Sequence, residues 1–270
     1  MWTHKAWAAP AQDRLRAYAG WCNAVEGNTT FYATPARETV ASWAQQTDPA
    51  FRFVLKLPRA VTHEHRLSGG EAELRAFLDA IEPLGPRAHA LWVQLPASFG
   101  PSDAPHLGAF LRRLPAGYRA AVEVRHPAFF AGDDGGLAGI LQRAGAEWVP
   151  FDTTAFFHTP PTSDAERDAW TKKPRTPLRT EALTDRPIVR YLGRDDPART
   201  VQGWARWVAA AAAWLREGRS PTFFIHTPDN ADAPRLAREF HAAVRAEVPG
   251  LPPLPEPEPA PEPDEPLTLF

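Results

Sequence analysis

Val25-Glu26-Gly27-Asn28-Thr29-Thr30-Phe31-Tyr32 reads as a strand that carries a carboxylate and an amide where a buried strand should be apolar. Side chains alternate between faces along a strand, so Glu26 and Asn28 are expected on one side and Val25 and Gly27 on the other. An unpaired carboxylate facing a closed core is costly. Glu26 is therefore expected to be hydrogen-bonded, paired with a cation, or at the wet end of its strand.

The same pattern recurs along the chain. Apolar runs rich in β-branched and aromatic residues, bounded by Pro or Gly, predict strands over Phe51–Leu57, Ala88–Leu95, Tyr118–Arg125, Trp148–Asp152, Ile188–Leu192 and Thr222–His226. Each carries a polar side chain near its C-terminal end: Lys56, Gln94, Glu123 with Arg125, Asp152, Arg190 and His226. Between them lie helical stripes. Thr34-Pro35 reads as a helix start ahead of Val40 and Trp43, and Leu74, Phe77, Leu78 and Ile81 share one helix face. Leu107, Phe110 and Leu111 form another such face, and Val201, Trp204, Trp207, Val208, Ala211 and Leu215 the longest. Alternating strand and helix predicts an α/β protein with a parallel sheet. The predicted domain covers residues 1–248, close to the usual size of a (β/α)₈ barrel. From Pro249 to Phe270 the chain is too rich in Pro and Glu to bury a core, which predicts a disordered tail.

Several blocks, in order, resemble one family. They are Val25–Tyr32, Phe51–Lys56 with Thr62-His63, Gln94–Phe99, Val122-Glu123-Val124-Arg125-His126-Pro127 and Ile188-Val189-Arg190, and together they resemble the YecE-like family, domain of unknown function 72, in its bacterial branch. The resemblance covers nearly the whole chain and implies a TIM-type (β/α) barrel with polar residues at the strand C-termini. It implies no reaction. Family members usually open with a short strand before the segment that Trp2-Thr3-His4 resembles, so the first strand is expected to be missing here, either through a misassigned start or as an open seam. At 224–230, Phe-Ile-His-Thr-Pro-Asp-Asn departs from the Asn-rich turn of much of the family.

In such a barrel the strand C-termini line the active site, so the polar ends converge on one bowl. Glu26 and Glu123 are the candidates for general base and acid, with Lys56 and Asp152 as catalytic partners; a carboxyl beside another carboxyl or an apolar wall can be raised toward neutrality. Arg125 and Arg190 suit an anionic group, which a guanidinium binds with two hydrogen bonds. Asn28, Thr30, Tyr32, His63, Gln94, His126, His226 and Asp229 complete the expected substrate contacts. The expected ligand is a small anionic or hydroxylated molecule, and the reaction class a hydrolase or isomerase. A non-catalytic binding protein is the bland alternative.

No cofactor is indicated. Glu26, Glu123, His126, Asp152, His226 and Asp229 are suitable ligand types for a divalent metal, but Lys and Arg at the same strand ends compete for the acids. The stretch from Thr153 to Thr184 interleaves Phe156, Phe157 and Trp170 with Arg167, Lys172, Lys173, Arg175 and Arg179. That composition makes a nucleic-acid-binding or endonuclease-like barrel the second alternative, with a solvated lid favoured over it. The net charge of −2 is no basic footprint. Cys22 is the only cysteine, which leaves no internal disulfide. With neither a signal peptide nor a membrane-spanning run, the expected location is cytoplasmic.

Overall fold

The computed structural model describes residues 4, 7, 9–10, 12–131 and 136–257. Strands and helices alternate as α1 (Arg14–Trp21), β1 (Ala24–Gly27), α2 (Arg37–Gln45), β2 (Arg52–Lys56), α3 (Glu71–Ile81), β3 (Ala88–Gln94), α4 (Ala104–Arg113), β4 (Ala120–Glu123), α5 (Leu137–Arg143) and β5 (Glu147–Trp148). The chain continues through β6 (Phe151–Asp152), α6 (Thr154–Phe157), α7 (Asp164–Lys172), β7 (Ile188–Leu192), α8 (Pro197–Gly203), α9 (Ala205–Arg216), β8 (Thr222–His226) and α10 (Ala233–Glu247). All strand pairs are parallel, in a five-stranded sheet ordered β1-β2-β3-β4-β5 and a three-stranded sheet ordered β6-β7-β8.

Two expected elements are broken in the structure. The strand predicted over Trp148–Asp152 divides at Pro150, which has no N–H for a ladder. β5 pairs with β4, β6 pairs with β7, and bonds from Val149 N to Val122 O and from Arg190 N to Pro150 O carry the pairing across the gap. This segment joins the two sheets. The longest helical stripe divides at Trp204, after α8, which starts on an N-cap at Asp196 that accepts from the amides of Ala198 and Arg199. Gly203 sits at the break because a Cβ there would lie 2.3 Å from the Tyr191 hydroxyl. α2 starts at Arg37, two residues later than Pro35 suggests.

Alternation along the strands sorts the core. Val25, Phe53, Leu55, Leu91, Val93 and Val122 face outward into the cluster shared with the helices around the five-stranded sheet. Val189, Tyr191 and Ile225 do the same against α9 and α10. The opposite face belongs to a small inner cluster drawn from both sheets: Ala24, Val54, Ala90, Trp92, Ala121, Val149, Ile188 and Phe224. Alanines leave room there for two large rings, and Trp92 stacks on Phe224 at 5.8 Å. β1 and β8 are the outer edges of their sheets, with no strand pairing between them among the described residues. A cavity of about 420 Å³ opens along this seam, lined by Val25, Ile225 and Leu254 among others.

The packed body extends beyond residue 248. Arg245, His241 and Arg238 bond the carbonyls of Leu251, Pro252 and Pro255, and Leu251 packs on the α9–α10 core. The expected tail therefore has contacts to the body as far as Glu256, which faces Arg238 at 3.7 Å, and its last residues, 258–270, lie outside the described ones.

Candidate functional site

Two residues beyond each inner apolar position, the same face turns polar. Ala24 is followed by Glu26, Val54 by Lys56, Trp92 by Gln94, Ala121 by Glu123, Ile188 by Arg190 and Phe224 by His226. Strand parity alone aims these side chains to one side, and registers such as Gln94 opposite Glu123 bring their ends level.

The ends of the two sheets meet in one charged cluster. Lys56 Nζ lies 2.9 Å from Glu26 Oε1, and Arg190 Nη2 lies 3.3 Å from the same oxygen. His226 Nε2 lies 2.9 Å from Glu26 Oε2, and its Nδ1 lies 3.1 Å from Asn230 Oδ1. Glu123 accepts from Arg125 Nε at 2.8 Å and faces Arg190 Nη1 at 3.7 Å. Trp92 lies beneath the cluster, its ring centroid 5.2 Å from Lys56 Nζ and 5.7 Å from the Arg190 guanidinium. Phe151 adds a second ring, 4.4 Å from Arg190. Glu26 is 5% exposed and Glu123 1%, so both carboxylates depend on these partners rather than on water.

This environment sets the ionisation states. Burial works against the charge on Glu26, but Arg190, Lys56 and His226 outweigh it and hold the carboxyl well below its usual range. Glu123 is held down in the same way by Arg125, Arg190 and Lys56. The expectation that one of the two rises toward neutrality as a general acid therefore fails, because each faces cations and not an apolar wall. Burial depresses Lys56, with Glu26 pulling back against it and Arg190 adding to it. Burial likewise depresses His226, Glu26 resists, and Arg190 and Lys173 reinforce the shift. At neutral pH the imidazole is uncharged.

Lys173, in the stretch expected to be a solvated lid or else a nucleic-acid surface, is half-buried and lies near enough to the cluster to feel its charges. Burial and the nearby Arg190, Arg125 and Lys56 lower its pKa, with Glu26 opposing. The backbone beside it is pinned over β6: Thr153 Oγ1 donates to Pro174 O at 3.1 Å and Thr176 Oγ1 to Phe151 O at 2.8 Å. Asn230, at φ 59°, is another contributor from a loop. Neither stands in a strand, so strand periodicity carries no signal for them.

Some expected site residues are elsewhere. Asp152 shares the outer face with Trp148, and its carboxylate accepts from Trp207 Nε1 at 2.7 Å and Thr154 N at 2.8 Å. It anchors α9 and does not join Glu26 and Glu123; Phe151, which shares the inner face with Val149, is the residue that meets Arg190. Asn28 leaves the strand alternation, since β1 ends at Gly27 and Asn28 is helical in φ and ψ. Thr30 is buried and donates to the carbonyls of Gly27 and Lys56, tying the ends of β1 and β2. Tyr32 is 79% exposed and packs edge-on against Phe31. His63 also meets Phe31 edge-on, on a π-helical turn; burial, then Arg125 and Arg59, lower its pKa to about 4. His126 Nδ1 caps the amide of Ala128, and Asp229 caps that of Ala231, so both hold turns. Gln94 is buried and its Oε1 has no hydrogen-bond partner.

The aromatic and basic residues of the 153–184 stretch are largely engaged with one another. The Arg175 guanidinium stacks on Phe157 at 4.4 Å and Trp170 at 5.1 Å, and Arg167 and Lys172 pair with Asp164 and Asp168. Among the described residues, no group of three His, Cys, Asp or Glu is placed to hold a metal ion, and no helix is long and apolar enough to cross a membrane.

Fold and site together define a parallel α/β protein that gathers a charged cluster where the C-terminal ends of its strands meet, the region where α/β proteins bind ligands. A profile of the family described as protein of unknown function DUF72 matches residues 1–263. The chain belongs to this family. It is 36% identical over 256 residues to UPF0759 protein YecE of Escherichia coli, both strain K12 and O157:H7, covering 94% of this chain and 94% of each relative. Two crystal structures of the DUF72 family protein EF0366 from Enterococcus faecalis V583 share its fold. The 3.10 Å structure has a TM-score of 0.66 at 18% identity, over 86% of this chain and 88% of the other. The 2.52 Å structure has 0.65 at 20%, over 88% and 94%.

Proposed function

We propose that the chain closes as a TIM-type barrel and is an enzyme acting on a small anion at the C-terminal ends of its strands. An inner core drawn from both sheets and the Glu26–His226 contact across the seam support the barrel. The anion reading rests on one observation. Glu26 and Glu123 are outnumbered by Lys56, Arg125, Arg190 and Lys173, so the cluster keeps a positive excess after its internal pairing. An incoming carboxylate or phosphate offsets that excess, and Arg125, at 22% side-chain exposure, stands where it enters.

The proton chemistry of this reading centres on the pair Glu26–His226. Ionised Glu26 orients the imidazole and stabilises it once it takes a proton, while Asn230 holds the other ring nitrogen. Neutral His226, its Nε2–H donated to Glu26, is then the base through Nδ1, whose new N–H Asn230 Oδ1 accepts, and Lys56, with its lowered pKa, supplies a proton on the far side of Glu26. Such a set suits hydrolysis or isomerisation of an anionic substrate. A thermal-shift and calorimetric screen of the full chain against carboxylates, phosphates, nucleotides and neutral sugars tests the binding step. Anions should raise Tm and neutral sugars should not, and Arg125→Gln should weaken the anion response by about tenfold in Kd, as loss of a charge-assisted bond implies. A flat response to every anion would remove the reading.

A further inference from the structure

Charge is not the only unmet demand in the cluster. Glu123 Oε2 is buried without a hydrogen-bond partner, its nearest cation being Arg190 Nη1 at 3.7 Å. Gln94 stands opposite Glu123 in the parallel register, and its Oε1 is likewise buried and unpartnered. Trp92, two residues earlier on the same face, leaves its indole N–H without an acceptor. Buried polar groups are normally satisfied, so three on adjacent positions of β3 and β4 mark a polar surface awaiting a partner.

The chemistry of that partner follows from what each group needs. Glu123 Oε2, on an ionised carboxylate, only accepts, and so calls for a donor. The Trp92 N–H only donates and calls for an acceptor. The Gln94 amide presents either kind of group, depending on its orientation. An apolar chain satisfies none of them, and a bare anion repels Glu123. A hydroxyl both donates and accepts, and it carries no charge to conflict with Lys56 or Arg190.

Building on the anion reading, we infer that the ligand is a polyhydroxylated anion. Its charged group meets Arg125 and Lys173 at the exposed side of the cluster, and its hydroxyls reach the β3–β4 wall formed by Gln94 and Glu123. Sugar phosphates, sugar acids and related polyol anions belong to this class. A binding site built to hydrogen-bond a hydroxyl discriminates strongly against an analogue that lacks it, because the site's own polar groups are then left buried and unpaired.

Matched pairs test this by calorimetry on the full chain: sn-glycerol 3-phosphate against n-propyl phosphate, and D-gluconate against hexanoate. In at least one pair the hydroxylated member should bind about tenfold or more tightly than its deoxygenated partner. Gln94→Leu should bring that ratio to within about twofold while leaving the deoxygenated ligand's affinity in place, since only the hydroxyl contact is lost. Replacing an unpartnered buried amide by an apolar side chain of similar size should leave Tm equal or higher. Should Gln94→Leu not fold, the wild-type ratios decide alone. Equal binding within both pairs, or a ratio unchanged by Gln94→Leu, overturns the polyol inference and leaves the anion reading standing. No binding by any of the four overturns both.

Discussion

Two buried ion-pair systems lie near each other in this protein and differ in how completely they are satisfied. Arg194, just after β7, donates to both oxygens of Glu166 at 2.7 and 2.6 Å and to the carbonyls of Phe156, Thr159 and Pro160. Glu166 also accepts from the amides of Thr162 and Asp195. Both oxygens of Glu166 are met by donors, and the pair locks α7 and the turn before it onto the sheet. Around Glu26 and Glu123 the acids are outnumbered, and oxygens on Glu123 and Gln94 have no hydrogen-bond partner. A closed network of the first kind holds structure together. An open one of the second kind retains a capacity to bind, and the contrast separates a structural salt bridge from a candidate site more sharply than burial does.

The largest effect is expected at the Arg194–Glu166 pair. Arg194→Leu leaves Glu166 charged and buried, and should cost about 3–5 kcal/mol of unfolding free energy in a urea titration. Arg194→Leu combined with Glu166→Leu should recover much of that loss. A single-variant cost below about 1 kcal/mol would place Arg194 among ordinary surface pairs.

Asp152 gives a smaller effect. Asp152→Ala deprives the Trp207 indole N–H of its acceptor, an expected loss of about 1–3 kcal/mol, with the anion-induced rise in Tm retained. Loss of the anion response with unchanged stability would return Asp152 to the site.

The gentlest probe is pH. Burial opposes the charge on Glu166, but hydrogen bonds from Arg194, Thr162 and Asp195 bring its pKa down from 4.5 to about 2. A carboxyl depressed in the folded state contributes stability above its unfolded pKa, and that contribution is lost as pH falls toward the folded value. Stability should therefore decline between pH 4.5 and about 2, and Glu166→Gln should flatten this part of the curve. An unchanged slope in the variant would mean that Glu166 is not held as described.

Much of the site is legible in the sequence because strand alternation is a local rule. Glu26, Lys56, Gln94, Glu123, Arg190 and His226 each stand near the end of a recognisable apolar run, and the structure places them on one inner face. At Asp152 the rule itself holds: counted from Val149 on the inner face, it puts Phe151 inside and Asp152 outside with Trp148, and only position near the strand end suggests Asp152 for the site. The rule is silent on Lys173 and Asn230, which approach the cluster from loops, and on the Arg194–Glu166 pair, whose members are 28 residues apart.

What the sequence by itself determined is therefore the order of elements, the parity of each strand and the polar character of the strand ends, since all three depend on neighbours within a few residues. The tertiary structure decided the ionisation of Glu26 and Glu123 and the excess of cations around them. Electrostatic energy depends on distance through space and on burial. Lys56, Arg190 and His226 are remote from Glu26 along the chain; the pairing of β1 with β2 brings Lys56 to its carboxylate, and the meeting of the two sheets brings Arg190 and His226.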